Sequence, residues 1–324
     1  MLKTKIIKMN IRILPAILLF GLCACKSGNA SNQEKSITQD TIKSFTLPVI
    51  PKTLTTPAQR ADFLVQHYWD NVNFADTNYV HHPEITEQAW VDYCDILDQV
   101  PLEAAHQSVK NTIQKASTSK KMLLYITDLA DKYLQDPNSP LRSGGSTIPL
   151  EEYYIPVLES MITSPLLDPA EKIRPKALLE LALRNRINTQ AADFTYTLSS
   201  GKQSKLYDLK ADYVLLFFNN PGCHACTEIV NVLKNAAIID KLITEKKLII
   251  LSVYPDEEIA DWKKHLSEFP QTWINSYDKK FTIRDKQIYD LKAMPTLYLL
   301  DKNKSVILKD AVPGVVEEYL TVHG

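Results

Sequence analysis

An uninterrupted apolar run at residues 213–218, YVLLFF, constrains the fold more than any other stretch of the chain. Six consecutive apolar residues fit a β-strand that is buried on both of its faces. Two cysteines, Cys223 and Cys226, follow this run closely, and the apolar residues after them recur at helical spacing. We therefore predict a buried strand that leads into a helix, with the cysteine pair at the N-terminus of that helix.

The spacing of apolar residues changes near residue 190 and divides the chain into two parts. Before this point the pattern is helical, with Thr56 as an N-cap and Pro57 at the first helical position. Six helices are predicted near residues 57–72, 84–99, 101–116, 119–135, 149–162 and 169–186. After it, a final helix near residues 315–320 and other helical segments alternate with strand-like runs at residues 194–198, 213–218, 248–253, 296–300 and 306–308. The pattern predicts an all-α domain at residues 56–187 and an α/β domain at residues 188–324.

The second predicted helix shows how the helical part packs. Its apolar stripe consists of Ile85, Ala89, Tyr93, Ile96 and Val100, with Trp90, Cys94 and Leu97 on the flank. Cys94 is interpreted as a small buried apolar residue. A redox relay between Cys94 and Cys223 is a further hypothesis.

The N-terminal residues have the layout of an export signal. Four cations precede an apolar run at residues 13–20 that is too short to span a membrane. The run ends in Leu22-Cys23-Ala24-Cys25, which resembles the lipobox of bacterial lipoproteins. We expect residues 1–24 to be a signal peptide, Cys25 to be acylated and residues 25–55 to be a flexible tether. An ordinary signal peptide without acylation is the alternative.

Composition argues against several classes of function. Only 8 of 324 residues are glycine, and no glycine-rich phosphate-binding motif occurs, so a nucleotide cofactor is not expected. The formal net charge is -1 and no block of Lys or Arg occurs, so nucleic acid is not an expected partner. The cysteine pair supplies only two of the four ligands that a structural zinc site needs, so no metal is expected.

The cysteine pair carries the chemistry that the sequence predicts. Unpaired backbone N–H groups and the positive end of the helix dipole favour the thiolate of a cysteine at a helix N-terminus. We expect Cys223 to be the nucleophile and Cys226, one helical turn on, to resolve a mixed disulfide. His224 lies between them and, when protonated, would stabilise the Cys223 thiolate; an exposed, weakly coupled side chain is the alternative. A purely structural disulfide is the alternative for the pair itself.

Three sets of residues follow one another in the second part of the chain: Asp193-Phe194-Thr195 with Gly201-Lys202 and Leu206 to Leu209, then Cys223-His224-Ala225-Cys226, then Met294-Pro295-Thr296. In this order they resemble the thioredoxin-like superfamily over about residues 190–322, and especially the exported, membrane-tethered thiol-disulfide oxidoreductases related to the cytochrome c maturation reductases. The resemblance implies a central mixed sheet flanked by helices. It also implies that Pro295 is cis and faces the cysteine pair, and that the Met294 backbone pairs with an extended substrate chain.

Two departures from the family pattern bear on the site. Gly222 stands where thioredoxins place a tryptophan. The buried acid of many relatives has no counterpart, because Phe217 and Ile229 occupy the two positions that carry it, and Glu228 is expected to face solvent. The helical part resembles, more weakly, a helical domain of unknown function that precedes thioredoxin-like domains in some Gram-negative lipoproteins.

The sequence therefore predicts a lipid-anchored thiol-disulfide oxidoreductase that faces the periplasm, with the outer membrane as its expected location. Its expected partners are proteins with disulfides or thiols and, where it acts as a reductant, an upstream electron donor in the membrane. The alternative is a non-catalytic lipoprotein of the envelope, in which the helical domain binds a partner and the cysteine pair is an inert bridge.

Overall fold

The computed structural model describes residues 44–143 and 146–324. Between residues 57 and 182 the described chain is mainly helical. The Thr56 hydroxyl accepts the Gln59 N–H, while the Gln59 side chain accepts the Thr56 N–H, so the first helix is capped as the sequence predicts. The six helices of this part are α1 (Pro57–His67), α2 (Pro83–Leu97), α3 (Leu102–Ala116), α4 (Lys120–Ala130), α5 (Leu150–Thr163) and α6 (Ile173–Ala182).

All six predicted helices are present, although α1 and α4 end before their predicted ends at residues 72 and 135, and α6 is shorter than the predicted 169–186 at both ends. The helix α1 ends at His67 because the next residues, Tyr68 and Trp69, turn their rings into the core, where both are buried. The last residues of the predicted fourth helix, Asp131–Gln135, form a π-helical turn, and a 3-10 helix at Thr77–His81 was not predicted.

The buried face of α2 differs slightly from the predicted stripe. Trp90 and Leu97, which were placed on the flank, are completely buried, whereas Ile85 and Ile96 are only half-buried. The reason is an aromatic cluster in which the Trp90 ring lies 6.2 Å from Trp69, so the helix turns its largest side chain inward. Cys94 is buried in the same core, as predicted.

The predicted signal peptide, Cys25 and most of the predicted tether lie outside the described residues. The part of the tether that is described corrects the prediction. The ring centroid of Phe45 lies 5.0 Å from that of Tyr68, and the Asn71 side-chain amide donates to the carbonyl of Thr46 at 3.1 Å. Residues 45–47 therefore belong to the folded helical part. None of the helices in the described part of the chain is long and apolar enough to cross a membrane.

Within residues 146–324, seven strands form one mixed sheet in the order β2-β1-β5-β4-β3-β6-β7. The strands are β1 (Thr195–Leu198), β2 (Gln203–Lys205), β3 (Tyr213–Phe218), β4 (Leu248–Tyr254), β5 (Ile274–Tyr277), β6 (Thr296–Asp301) and β7 (Val306–Lys309). The helices are α7 (His224–Asn235), α8 (Ala237–Thr244), α9 (Ile259–His265), α10 (Thr282–Asp285) and α11 (Pro313–His323). The α/β prediction is confirmed, whereas β2 and β5 were missed because they are short and polar.

The central strand β3 positions the cysteine pair. It runs parallel to β4 and antiparallel to β6. Leu215 and Phe217 point into an apolar core shared with α7, α8 and α11, while Val214 and Phe218 point into the core on the opposite face. The strand is therefore buried on both faces, as its continuous apolar run predicts.

Candidate active site

The cysteine pair lies where β3 passes into α7. The connecting residues end at Gly222, whose φ of +65° is a backbone conformation that favours glycine. Cys223 is the N-cap of α7, and its sulfur accepts the backbone N–H of Cys226 at 3.3 Å. A hydrogen bond from a helix N-terminus stabilises negative charge on that sulfur.

The two sulfurs differ in exposure. Cys223 is half-buried and can be reached from solvent, whereas Cys226 is 2% exposed. Burial, followed by the hydrogen bond with Cys223, raises the pKa of the Cys226 thiol to about 12. Both cysteines are free thiols in the structure. The pair thus combines an accessible sulfur with a hidden one.

The fold brings Met294 and Pro295 to the cysteine pair. The Cys223 sulfur lies 4.0 Å from the carbonyl oxygen of Met294. The Met294–Pro295 peptide bond is cis, as the family resemblance implied. Met294 is half-buried and lies two residues before the start of β6, which pairs with β3. The first cysteine and the segment before β6 therefore form one surface.

His224 lies away from the buried side of the pair. Its side chain is 90% exposed and its ring nitrogen Nε2 lies 3.2 Å from the Glu228 carboxylate, one turn further along α7. Charges at such exposure are screened by solvent and salt. The structure favours the weakly coupled alternative for His224. Glu228 faces solvent, as predicted.

Apolar and amide side chains surround the cysteine pair, where the family resemblance implies a buried acid in many relatives. Phe217 lies beneath the pair and packs against Phe269 and Trp273, whose ring centroids are 6.3 Å and 6.0 Å away. Asn219 is completely buried and donates to the Ser252 hydroxyl at 2.8 Å. The side-chain oxygens of Asn219 and Asn220 are buried without a hydrogen-bond partner among the described residues.

Two groups near the pair were not predicted from the sequence. The two asparagines directly between the buried strand and the cysteines were a signal that could have been used. His265, by contrast, comes from α9 and lies 3.8 Å from the point that a Cβ on Gly222 would occupy. No local pattern in the sequence indicates that contact.

The remaining predicted positions lie elsewhere. Cys94 belongs to the helical core, whereas Cys223 packs against the core under α7, so the two members of the hypothetical relay lie in different cores. Burial raises the pKa of the Cys94 thiol well above its ordinary value. In residues 44–143 and 146–324, no three His, Cys, Asp or Glu side chains are grouped so that they could hold a metal ion.

Two family models match the chain. The model of a domain of unknown function, DUF5106, matches residues 23–185, and a model described as thioredoxin-like matches residues 211–306. No curated protein matches the sequence.

Solved structures resemble the chain as well. A thioredoxin-like protein from Bacteroides caccae is 65% identical, and the match covers 88% of this chain and 100% of that chain with a TM-score of 0.83. The C-terminal domain of an uncharacterized protein from Bacteroides fragilis is 55% identical over 42% of this chain and 98% of that chain, with a TM-score of 0.42. The thioredoxin domain of a thiol-disulfide oxidoreductase from Bacteroides vulgatus is 23% identical over 42% of this chain and 96% of that chain, with a TM-score of 0.38.

The fold and the cysteine pair define a thioredoxin-like protein, which is the class that the sequence motifs predict. The chain belongs to the DUF5106 family and carries its thioredoxin-like domain in the C-terminal part.

Proposed function

We propose that the protein is a thiol-disulfide oxidoreductase that acts on protein disulfides in the cell envelope through Cys223 and Cys226. One observation carries the proposal. The Cys223 sulfur accepts a helix N-terminal N–H, is reachable from solvent and lies 4.0 Å from the Met294 carbonyl. This combination supplies a nucleophilic sulfur and, next to it, a backbone segment against which a substrate chain can align.

The first step is attack by the Cys223 thiolate on one sulfur of a substrate disulfide. The substrate S–S bond breaks, a mixed disulfide forms at Cys223, and the released substrate sulfur leaves as a thiolate that takes a proton. Cys226 then loses its proton and attacks the Cys223 sulfur. The Cys223–Cys226 bond forms, the second substrate thiol is released, and two electrons have passed to the substrate.

Met294 and Pro295 are the proposed binding residues. An extended substrate chain would pair with the Met294 backbone by adding a strand beside the site. Such pairing recognises backbone rather than particular side chains, so it suits an enzyme that acts on disulfides in several proteins. Pro295 restricts the backbone at the end of this segment, where β6 begins.

The proposed location rests on the N-terminal sequence. Acylation of Cys25 would hold the protein on a membrane, facing the periplasm, and the outer membrane is the proposed site. Acting as a reductant, the protein would need a membrane electron donor to reopen the Cys223–Cys226 bond. The reaction itself needs no cofactor.

Trapping tests the function directly. With Cys226→Ser, the first step still occurs but the mixed disulfide persists, so envelope proteins should accumulate as disulfide-linked adducts at Cys223. With Cys223→Ser, no adduct and no insulin reduction with dithiothreitol as electron donor are expected. Cys94→Ser is the matched control, because Cys94 is buried in the helical core, and it should behave like the unsubstituted protein.

A redox titration separates catalysis from an inert bridge. Alkylation of the Cys223–Cys226 pair across thiol redox buffers should give a reversible two-electron midpoint, and a value below about -230 mV would mark a reductant whereas one near about -120 mV would mark an oxidant. A pair that stays closed through the whole range, or adduct formation that survives Cys223→Ser, would overturn the proposal.

A further inference from the structure

The segment that carries Met294 is attached to the helical part of the chain. We call residues 286–295, which connect α10 to β6, the Met294 loop. The Arg184 guanidinium donates to the first two carbonyl oxygens of this loop. The Asn185 side-chain amide donates to the carbonyl of Ile288 at 2.8 Å. Both donors follow α6 directly, so the end of the helical part holds the start of the Met294 loop.

A buried ion pair makes a second attachment close to Met294 itself. The Lys292 ammonium donates to the Glu151 carboxylate at 2.7 Å, and the two side chains are 9% and 1% exposed. Glu151 lies in the first turn of α5, where the helix dipole favours an acidic residue. Lys292 is only two residues before Met294, so the Lys292 side chain connects α5 to the segment that lies beside Cys223.

The charges around Glu151 balance. Its carboxylate also pairs with the ammonium of Lys309 in β7, which is 1% exposed and donates to the carbonyls of Ala182 and Arg184 at 3.1 Å and 2.7 Å. Asp290 lies 3.6 Å from Lys292, so two carboxylates face two ammonium groups. Separating such buried pairs is costly because each charge would lose its partner without gaining water.

We propose that Glu151 is a positioning residue of the active site, which holds the Met294 loop against Cys223 through Lys292. The inference rests on the proposed function and extends it to the helical part. The DUF5106 half sets the geometry of the edge to which a substrate chain binds. Substrate pairing needs the Met294 backbone in place, whereas attack on a small soluble disulfide needs only the Cys223 sulfur.

The test compares two neighbouring glutamates. Glu151→Gln removes the charge that holds Lys292, whereas Glu152→Gln removes an equally buried charge on the same turn that pairs with Arg186 outside the loop. In the full chain, at a temperature where circular dichroism shows both variants folded, KM for insulin should rise between about 10- and 100-fold in Glu151→Gln. The value of kcat, and the rate with bis(2-hydroxyethyl) disulfide, should stay unchanged. Glu152→Gln should leave all three unchanged.

A second variant guards against misfolding. Lys292→Met breaks the connection to the loop but leaves Glu151 paired with Lys309, and the same rise in KM for insulin is expected. Equal KM values in Glu151→Gln, Lys292→Met and Glu152→Gln would overturn this inference but not the proposed function. Equal losses with insulin and with the small disulfide would also overturn it, since the effect would then not act through substrate pairing. Failure of the unsubstituted protein to reduce insulin would instead overturn the proposed function, and this inference with it.

Discussion

The backbone N–H of Cys226 is directed at the sulfur of Cys223, 3.3 Å away, while the sulfur of Cys226 itself is buried beneath the helix. The backbone of Cys226 thus donates a hydrogen bond to its partner's sulfur, while burial raises the pKa of the Cys226 thiol itself. This division follows from the position of the pair, because the first residue of a helix faces free N–H groups and the residue one turn on faces the core.

The second step of the exchange should depend steeply on pH. Because burial raises the pKa of the Cys226 thiol to about 12, its thiolate fraction rises as the pH approaches that value. We expect the rate at which Cys226 forms the disulfide with Cys223 to increase about tenfold per pH unit between about pH 7 and pH 9. The reaction with 5,5′-dithiobis(2-nitrobenzoate) measures it. Attack by Cys223 releases one thionitrobenzoate, and attack by Cys226 releases the second.

The control for this measurement is Cys226→Ser, which should release only one thionitrobenzoate at every pH. A second release whose rate is the same at about pH 7 and about pH 9 would show that Cys226 ionises readily in the folded protein.

Substitution of Gly222 should reduce stability through the backbone alone. Its φ of +65° is unfavourable for a residue with a side chain, while the nearest atom to an added Cβ, His265 Cε1, is at the ordinary contact distance of 3.8 Å. Gly222→Ala should therefore lower the free energy of unfolding by about 1–2 kcal/mol, as measured by urea denaturation.

A second glycine provides the comparison. Gly314 lies in α11 with nothing within 4 Å of an added Cβ, and Gly314→Ala should leave stability unchanged or raise it by up to about 1 kcal/mol. Equal effects of the two substitutions would contradict the argument from φ.

Phe45 should contribute to the stability of the helical part. Its ring centroid lies 5.0 Å from that of Tyr68 and 5.6 Å from that of Trp69. Phe45→Ala should lower the free energy of unfolding by about 2 kcal/mol in guanidinium denaturation, because it removes a half-buried aromatic contact. Val49→Ala is the control: Val49 is 90% exposed, and its loss should change stability by less than about 0.5 kcal/mol. An equally small change for both variants would mean that residues 45–47 do not contribute to the helical core.

Local patterns accounted for most of the fold because they act over a few residues. The capping pair Thr56 and Gln59, the continuous apolar run of β3 and the helical spacing after Cys226 each specify an element by short-range chemistry. The strands β2 and β5 escaped prediction for the same reason. They are short and polar, and only pairing makes them strands: β2 pairs with β1 at one edge of the sheet, and β5 lies between β1 and β4.

The sequence by itself determined the succession of helical and α/β parts, the order of the motifs and the place of Cys223 at a helix N-terminus. Only the tertiary structure decided that His265 lies beside Gly222 and that Glu151 reaches Lys292. Both contacts join residues that are distant in the chain, and the ion pair exists because burial removes the water that would otherwise solvate each charge. Periodicity and capping describe neighbours along the chain, so such contacts have no signature in the sequence.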